Sequence, residues 1–540
     1  MSASSKKKLR KEQEAAKLTE KQLSAQKEAK KTNLLTAAFV VVMAVILVIA
    51  VVVGIKQTIT SHGILEKNTT ALTVGDHEIS NAELNYFYMD AVNNFYSNYG
   101  SYAAMFGLDT TLPLNEQVVD EETGLTWADD FLTSAKDNAA AIYAMADAAE
   151  AAGYTLSEEE IADIESQMST MDLYATMYGY SNGEQYLKAI YGNGASEEGY
   201  LEYNKLNALA SSYYNHYAES LTYEDADLRA AEEENYNAYS SYTFHSYYLS
   251  TSKFQEDGTT TYSDEEKAAA AEAAEAAAES LVAEKIDSVE ALDAAIAALS
   301  INEGTSAAST AYEDTLYSNL NSLYADWLTD DARKEGDMAT FANTSTTTAE
   351  DGTETTTVNG YYVVYYIGSN DNTFALKNAR HILVSFEGGT TDETTGTTTY
   401  SDEEKAAAKT TAEEILNEWK SGEATEESFG ELANAKSADG DGTTGGLYED
   451  IYPGQMVTNF NDWCYDESRK PGDTGIVETE YGYHVMYFVG DSETTYRDYQ
   501  IENELRSADV DAWYTSNVEA MEQTDGDTKY INMGLVLSNG

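Results

Sequence analysis

The chain has 540 residues, 94 of them acidic and 32 basic, and its formal net charge at pH 7 is −62. This length is enough for several domains, and a surface of this sign argues against nucleic acid and other polyanions as partners. With one cysteine, Cys464, the chain has no intrachain disulfide, so its stability has to come from packing, to which the 42 tyrosines are expected to contribute most. We interpret the acidic excess as a solvated surface, and attraction of basic partners or divalent cations is the alternative.

The N-terminus combines a basic tail, residues 1–33, with an apolar run, residues 34–55. The first 31 residues contain ten Lys/Arg and four Glu, and the 22 residues of the run are uncharged. As a helix the run would be about 33 Å long, which is enough to cross a bilayer and longer than the apolar part of a signal peptide. Because the basic tail comes first, we predict a cytoplasmic N-terminus and an extracytoplasmic remainder, which carries a net charge of −68. The pattern therefore predicts a single-pass protein of the cell membrane, an arrangement that suits a Gram-positive-like envelope.

After a short polar stalk, residues 56–70, the pattern predicts a helical domain over residues 71–240. Ser80 with Glu83 three positions later has the spacing of a capping box, at which a helix begins. The elements predicted from apolar periodicity are strands at 71–74 and 77–79 and helices at 82–99, 127–152, 158–174, 200–221 and within 223–239.

Two later stretches of the chain repeat one another. The matching segments are 262–268 with 400–406 at an offset of 138, 326–327 with 462–463 at an offset of 136, and 360–363 with 482–485 at an offset of 122. The offset is nearly constant for the first two matches and then falls by 14, from 136 to 122. This pattern indicates one fold present twice, with an insertion in the first copy near 343–358. We expect this Thr-rich insertion to form an exposed hairpin extension or loop. The copies are predicted at 241–370 and 371–493, and a C-terminal helical segment at 494–540 with its helix at 496–520.

The second copy contains a set of motifs in a fixed order. His381 lies at the start of an apolar strand, and His484 lies in the closing strand. The motifs, in order, are Arg380-His381-Ile382-Leu383-Val384, Gly445-Gly446-Leu447, Gly454-Gln455-Met456 with Phe460, Lys470-Pro471-Gly472-Asp473, and Glu478-Thr479-Glu480-Tyr481-Gly482-Tyr483-His484. Together they resemble the parvulin family of peptidyl-prolyl cis/trans isomerases. The helical domain, through VGDHEISNAEL, GYTLSEEEI and LTYEDADLRAAEEENY, resembles the N-terminal chaperone domain of exported bacterial foldases.

This resemblance implies an α+β multidomain fold. Its parts are an N-terminal transmembrane helix, an α-helical chaperone-like domain, two tandem parvulin-like domains that each have a small antiparallel sheet surrounded by helices, and a C-terminal helix. It also implies an extracytoplasmic isomerase and chaperone that acts on unfolded or newly exported proline-containing proteins and needs no cofactor. The alternatives are a non-catalytic holdase with a vestigial site and a tyrosine-rich surface protein with a structural or adhesive role.

The resemblance also implies the roles of individual residues in the second copy. The apolar cup for the proline ring corresponds to Leu447, Met456 and Phe460. The polar residues of the site correspond to His381, His484, Asp439 and Thr479. Asp441 is the alternative to Asp439, because the spacing from Asp439 to Leu447 is about one residue shorter than in the family.

Two further features limit this interpretation. Asp439, Asp441, Thr443 and Asp450 also have the spacing of a calcium loop, but Thr444 stands where such a loop needs glycine, so we prefer the isomerase interpretation. The loop 387–404 has several acidic residues and no Lys or Arg, so we do not expect recognition of phosphorylated substrates.

The first copy is predicted to lack activity. Tyr362 stands in place of the second histidine, and no counterpart of the Gly-Gly-Leu or Gly-Gln-Met motif occurs between residues 300 and 326. The sequence leaves His245, Ser246 and Tyr247 open as the equivalent of the first histidine. We therefore interpret the first copy as a spacer or a client-binding module.

Overall fold

The computed structural model describes residues 4–11, 13, 42–254, 263–284, 286–303, 305–348, 352–392, 395–440 and 442–537. Most of the predicted basic tail, residues 34–41 of the predicted anchor, and Asp441 lie outside these described residues. The chain forms two compact units, the first comprising Met1–Leu221 and Ala508–Gly540 and the second Thr222–Ser507. The segment 222–240, predicted as the end of the helical domain, therefore belongs to the second unit.

The first unit is mainly helical. Its N-terminal part contains α1 (Val42–Ser61), α2 (Ile64–Asn68), β1 (Thr70–Val74), β2 (His77–Ser80), α3 (Asn81–Tyr99), β3 (Val118–Asp120), β4 (Leu125–Thr126), α4 (Trp127–Ala152), α5 (Glu158–Ser169), α6 (Met171–Met177), α7 (Gly183–Tyr191) and α8 (Glu197–Ser220). The Ser80 hydroxyl accepts a hydrogen bond from the Glu83 amide and begins α3, as the capping pattern predicts. One face of α3, including Phe87 and Tyr88, is buried in a core that also contains Phe131 of α4. Each such side chain stabilises the unit by about 1.5–3 kcal/mol.

Of the elements named above, α7, β3 and β4 are not among those predicted from the sequence. Two further parts of this unit also differ from the sequence-based expectation. The helix predicted at 158–174 divides at Thr170, where the hydroxyls of Ser169 and Thr170 bond back to carbonyl groups three residues earlier and compete with the helical amides. The predicted polar stalk is helical for most of its length, because α1 continues to Ser61 and α2 follows. Gly63 between them is buried.

The second unit contains two four-stranded sheets with helices on them. Its elements are α9 (Asp225–Glu234), β5 (Ser241–Ser250), α10 (Asp264–Ala283), α11 (Val289–Ala298), β6 (Thr310–Leu316), α12 (Ala325–Leu328), β7 (Met338–Thr348), β8 (Glu354–Asn370), β9 (Ala375–Ser385), β10 (Thr390–Thr391), β11 (Thr398–Thr399), α13 (Asp402–Ser421), α14 (Glu426–Lys436), β12 (Leu447–Ile451), α15 (Thr458–Tyr465), β13 (Thr474–Thr479) and β14 (Gly482–Thr495). The strand orders are β6-β5-β8-β7 and β12-β9-β14-β13, and all these pairings are antiparallel.

The two sheets have the same topology. In each of them the first strand in sequence pairs with the second and with the fourth, and the third strand lies at the edge beside the fourth. The predicted insertion in the first copy extends β7 and β8 as an exposed antiparallel ladder from Thr344↔Val358 to Thr348↔Glu354. Residues 349–351 of that insertion lie outside the described part of the chain.

The C-terminal segment contains α16 (Tyr496–Glu519) and β15 (Gln523–Asp525). Near the start of α16, Arg497 is completely buried within the second unit, where its guanidinium lies 2.6 Å from the Glu232 carboxylate and 3.9 Å from the Tyr236 ring. The later part of α16 belongs to the first unit, in which Trp513 stacks on Tyr217 at 3.9 Å. β15 pairs with β1 in the same unit.

Candidate active site

Two histidines lie side by side on the central strands of the second sheet. His381 is in β9 and His484 is in β14, and their Nδ1 atoms are 2.9 Å apart. Met486 pairs with His381 and Leu383 pairs with His484, so the two histidines are diagonal neighbours on one face of the sheet. Both side chains are almost completely buried, at 3% and 5% exposure. Burial of two imidazoles is favourable only if their nitrogens have hydrogen-bond partners.

The hydrogen bonds continue on both sides of this pair. On one side the Oδ2 atom of Asp439 lies 2.9 Å from His381 Nε2 and accepts a second hydrogen bond, at 2.9 Å, from the hydroxyl of Tyr448. On the other side the Thr479 hydroxyl lies 2.8 Å from His484 Nε2. Five side chains from separate parts of the domain therefore form one chain of hydrogen bonds. The alternative carboxylate, Asp441, lies outside the described residues.

The carboxylate determines where the protons of this chain lie. An ionised Asp439 can only accept, so His381 Nε2 carries a proton and its Nδ1 is an acceptor when the ring is neutral. His484 then donates from Nδ1, and its Nε2 accepts from the Thr479 hydroxyl. The Thr479 oxygen in turn accepts from the Tyr481 amide at 3.2 Å. Every group donates toward Asp439, and one arrangement of protons satisfies all of them.

The electrostatics agree with this arrangement. Burial lowers the pKa of His381, and the neighbouring Asp439 opposes this effect only in part. Burial, together with the positive charge that His381 can carry, lowers the pKa of His484 to about 4. Burial alone would raise the pKa of Asp439, but the hydrogen bond from Tyr448 and the proximity of His381 outweigh it, so this pKa lies below its ordinary value. At neutral pH the site therefore contains two neutral imidazoles and one carboxylate.

An aromatic ring closes one side of the histidine pair. Phe460 of α15 presents its ring at nearly right angles to both imidazoles, with centroid distances of 5.4 Å to each. Phe460 is 3% exposed, and the half-buried Met456 packs against the same cluster. The site thus combines a polar chain of fixed orientation with an adjoining apolar surface. Such a surface suits a compact apolar ring such as that of proline.

The structure does not bring Leu447 to this surface. Leu447 pairs with Arg380 and Tyr448 pairs with Ala379, and side chains alternate between the faces of a strand. Tyr448 therefore shares the face of His381, with ring centroids 5.2 Å apart, whereas Leu447 lies on the opposite face with Arg380. Tyr448 is the residue that the sequence analysis missed. The alternation of β12 is the signal that could have identified it, because only one of two consecutive strand residues can face the histidines.

A glycine allows the loop before β12 to approach the histidine strand. Gly446 has φ +63°, and a Cβ atom at this position would lie 2.1 Å from the carbonyl oxygen of His381. The Gly446 carbonyl accepts the His381 amide at 2.9 Å. This contact fixes the backbone of His381 and brings the segment between Asp439 and Tyr448 over the site.

The equivalent positions of the first sheet hold different residues. In the second sheet His381 pairs with Met486, and the equivalent pair of the first sheet is Ser246 with Val364. His484 pairs with Leu383, and the equivalent pair is Tyr362 with Tyr248. Of the three candidates that the sequence left open, Ser246 therefore has the register of the first histidine. His245 lies on the other face of β5, where its Nδ1 is 2.8 Å from the hydroxyl of Ser309.

Comparison with known proteins identifies the domain that contains the site. Residues 361–490 match the family model of the PPIC-type PPIASE domain. Over 84 residues the chain is 37% identical to "Foldase protein PrsA 1" of Listeria innocua and, equally, to that of Listeria monocytogenes. This match covers 15% of the present chain and 27% of either relative, so the chain spans about a quarter of the length of the curated relatives it matches.

Solved structures of peptidylprolyl isomerase PrsA give weaker matches. The structure from Bacillus cereus matches with a TM-score of 0.17 and 24% sequence identity. This match covers 27% of the present chain and 49% of the Bacillus cereus chain. PrsA from Bacillus subtilis has a TM-score of 0.27 and 14% identity, with 73% of this chain and 86% of that chain covered. The family match alone shows that residues 361–490 contain a PPIC-type domain of the parvulin kind, so the sequence-based prediction of such a domain is confirmed.

Proposed function

We propose that this protein is an extracytoplasmic peptidyl-prolyl cis/trans isomerase and chaperone that assists the folding of exported proteins. The observation that carries the proposal is the hydrogen-bond chain from Tyr448 through Asp439 and the two histidines to Thr479, beside Phe460 and within the PPIC-type domain. The similarity to proteins named foldases supports the same role.

The proposed reaction requires no bond to be broken. Rotation about an X-Pro bond has a barrier of about 18–20 kcal/mol, because the planar amide is stabilised by resonance. In the twisted transition state this resonance is lost, and the carbonyl oxygen carries less negative charge. A catalyst therefore has to bind the twisted amide better than the planar one.

The residues of the site have distinct roles in this proposal. Phe460 and Met456 hold the proline ring while the preceding carbonyl rotates. The carboxylate of Asp439 lies beside that carbonyl and repels the partly negative oxygen of the planar amide more than that of the twisted amide. The neutral histidine pair and Thr479 fix the orientation of Asp439 through His381, and the Tyr448 hydroxyl holds the carboxylate from the other side.

The proposed location depends on α1. Val42–Ser61 is a helix of 20 residues, of which the most apolar 18 have a mean hydropathy of 2.4 and are not buried. Its apolar residues, 42–55, end the uncharged run that begins at Leu34 in the sequence, and a helix of the 22 residues of that run would be about 33 Å long, enough to cross the hydrocarbon core of a bilayer. We propose that α1 is a single membrane anchor, with the basic tail in the cytoplasm and the remainder of the chain outside.

The other parts of the chain are proposed to bind clients or to act as spacers. We propose that residues 241–370 form a parvulin-like domain without activity, since its topology equals that of the second sheet and the histidine positions hold Ser246 and Tyr362. We further propose chaperone-like binding of unfolded segments by residues 71–240 and by the C-terminal segment, 494–540. The catalytic domain is assigned to residues 371–493.

The test is an isomerisation assay on the full chain in detergent micelles, with a proline-containing peptide as substrate. The wild type is compared with a His381→Ala/His484→Ala double variant and with His245→Ala, a matched histidine variant in the first sheet. We expect acceleration by the wild type and by His245→Ala, and its loss in the double variant with an unchanged circular dichroism spectrum. A wild type without acceleration that still suppresses aggregation of an unfolded client would establish the holdase alternative, and the absence of both activities would favour a structural surface protein.

A further inference from the structure

The first unit has an exposed apolar surface that the proposed function does not use. It consists of side chains on α6 and in the loop that follows it. Its members, here called the α6 surface, are Leu173, Tyr174, Met177, Tyr178 and Tyr180, with exposures between 37% and 71%. α6 places Leu173, Tyr174 and Met177 on one face. The rings of Tyr178 and Tyr180 both contact that of Tyr186. Exposed apolar side chains grouped in this way mark an interaction site.

This surface is uncharged in a strongly acidic protein. Residues 173–182, with the sequence LYATMYGYSN, contain no Asp, Glu, Lys or Arg, although 23% of the whole chain is charged. A second copy of the chain, with a net charge of −62, is a poor partner because the two copies repel each other. A surface without charge and with three tyrosines instead resembles the aromatic belts that contact the interface of a lipid bilayer.

The α6 surface lies near the end of the apolar helix α1. The loop after α7 packs against the residues that follow α1, so closely that a Cβ atom at Gly63 would lie 2.3 Å from the Cα atom of Gly194. Near the start of α7, Glu184 bonds to Lys188 and is also close enough to His62 and Lys67 for their charges to lower its pKa.

α6 in turn packs on α7. The Asp172 carboxylate accepts the Gly183 amide at 2.7 Å. The ring of Tyr178 stacks on that of Tyr186, with centroids 5.6 Å apart. The α6 surface is therefore tied through α7 to the residues that follow the anchor.

The position of the membrane boundary follows from the sequence of α1. The apolar run ends at Ile55, and the seven residues from there to His62 extend about 10 Å as a helix. The headgroup layer on each side of the hydrocarbon core is about 5–8 Å thick. His62 therefore stands about 2–5 Å beyond the outer edge of that layer. Ile64 and Leu65, which follow Gly63, are also exposed, at 41% and 47%.

We propose that the α6 surface lies in the headgroup layer of the membrane in which α1 is anchored, as a second and non-spanning membrane contact. This inference rests on the proposed anchorage of α1. The apolar and tyrosine side chains enter the interface, while the acidic remainder of the unit faces away from it. Such a contact restricts rotation of the first unit about the anchor and holds it beside the bilayer.

The test uses the full chain in phosphatidylcholine vesicles that contain a lipid with a nitroxide on its headgroup. An environment-sensitive dye is attached by a maleimide to Met177→Cys or to the control Met105→Cys. Both methionines are exposed, at 71% and 81%, and both belong to the first unit. The native Cys464 is 1% exposed and burial raises its thiol pKa to about 12, so it does not compete for the reagent in the folded protein.

Met105 is a suitable control because it lies far from α7. The start of α3 contacts the loop after α7, since a Cβ atom at Gly194 would lie 2.6 Å from that of Ala82. Met105 lies beside the later part of α3, because the neighbouring Phe106 packs on Phe95 and Tyr99, and the stretch of α3 from Ala82 to Phe95 is about 20 Å long.

We expect the nitroxide lipid to reduce the fluorescence at position 177 several-fold and to leave that at position 105 unchanged. Equal quenching at both positions, or quenching at neither, overturns the proposal. A blue-shifted emission at position 177 without quenching overturns it in favour of a protein partner. Release of the chain from vesicles by alkaline carbonate shows instead that the anchor itself is wrong, and the α6 proposal then fails with it.

Discussion

Asp439 and His381 are joined by a contact of 2.9 Å between Oδ2 and Nε2, which gives the buried hydrogen-bond chain its direction. Without a carboxylate at one end, two adjacent neutral imidazoles could exchange donor and acceptor roles. With it, each nitrogen has one role, and the pair becomes a rigid part of the site. The carboxylate is itself 37% exposed, so it is the member of this pair that a substrate can reach.

The first prediction separates the charge of Asp439 from its shape. Asp439→Asn keeps an oxygen that can accept from His381 and Tyr448 but removes the negative charge. We expect isomerisation of a proline-containing peptide to slow by about a hundred- to a thousand-fold, as for other groups that favour a transition state electrostatically. The midpoint of urea unfolding should change little. Asp450→Asn is the matched control, because this carboxylate accepts from the Ser492 hydroxyl instead. Equal activity of the two variants would contradict the assigned role.

The second prediction concerns the residue that the sequence analysis missed. Tyr448→Phe removes the hydroxyl that bonds to Asp439, and we expect it to raise the pKa of Asp439 and to lower activity. The loss of one hydrogen bond should reduce the free energy of unfolding by about 0.5–1.5 kcal/mol. Leu447→Ala, on the opposite face of the strand, should have less effect on activity. If Leu447→Ala abolished turnover and Tyr448→Phe did not, Leu447 and not Tyr448 would be the residue of this strand that acts in the site.

The sequence predicted the PPIC-type domain because its motifs are local and ordered. It could not determine which of two adjacent residues, Leu447 or Tyr448, faces the site, because that depends on pairing with β9, which is distant in sequence. The family pattern suggested Leu447 for the proline cup, whereas the alternation of the strand places Tyr448, and not Leu447, on the face of the histidines.

The helical unit was harder to predict for a different reason. The apolar periodicity of residues 158–174 continues through Thr170, but the helical conformation of the backbone ends there, because the Thr170 hydroxyl bonds to the backbone carbonyl of Gln167. The helix α7 begins at Gly183, a residue of low helix propensity, and its formation depends on the Asn182 cap and on packing. Contacts of this kind leave no periodic signal in the sequence.

The third prediction uses two glycines with the same type of backbone conformation. Gly446→Ala places a Cβ atom 2.1 Å from the His381 carbonyl, in addition to the cost of φ +63°. At Gly454, with φ +82°, there is open space within 4 Å, so Gly454→Ala pays only the conformational cost of about 1–2 kcal/mol. We expect Gly446→Ala to lose more stability in urea unfolding, together with activity. Equal losses would show that the loop does not approach His381 as described.

The fourth prediction tests whether the first sheet is inactive. Tyr362 has the register of His484, and its ring lies 5.7 Å from that of Tyr324 and 4.7 Å from that of Tyr248. Tyr362→Phe keeps this aromatic packing and should leave isomerisation unchanged. His484→Phe, the same residue at the equivalent position of the second sheet, should abolish it. Loss of turnover in a folded Tyr362→Phe variant would show that the first sheet takes part in catalysis.

The fifth prediction concerns the dependence of stability on pH. The pKa of His484 is about 4 in the folded protein and close to 6.5 when the chain is unfolded, so between these values the unfolded chain binds more protons. Stability is therefore fully present above pH 6.5 and decreases as the pH falls from 6.5 to 4, by up to about 3 kcal/mol for this histidine. His381, whose pKa is also lowered, acts in the same direction.

The pKa of Asp439 is also lowered on folding, but this carboxylate affects stability in a lower pH range. Its contribution is present above the ordinary value near 4 and is lost only below it. Burial also raises the pKa of carboxyl groups such as Glu83 and Asp90, whose effect on stability has the opposite sign, so the contribution of His484 is measured as the difference in urea unfolding between the wild type and a variant at a series of pH values from 7 to 4.5. We expect a His484→Gln variant to have a smaller decrease over this range than the wild type. The same slope in both proteins would show that His484 is not held neutral by burial.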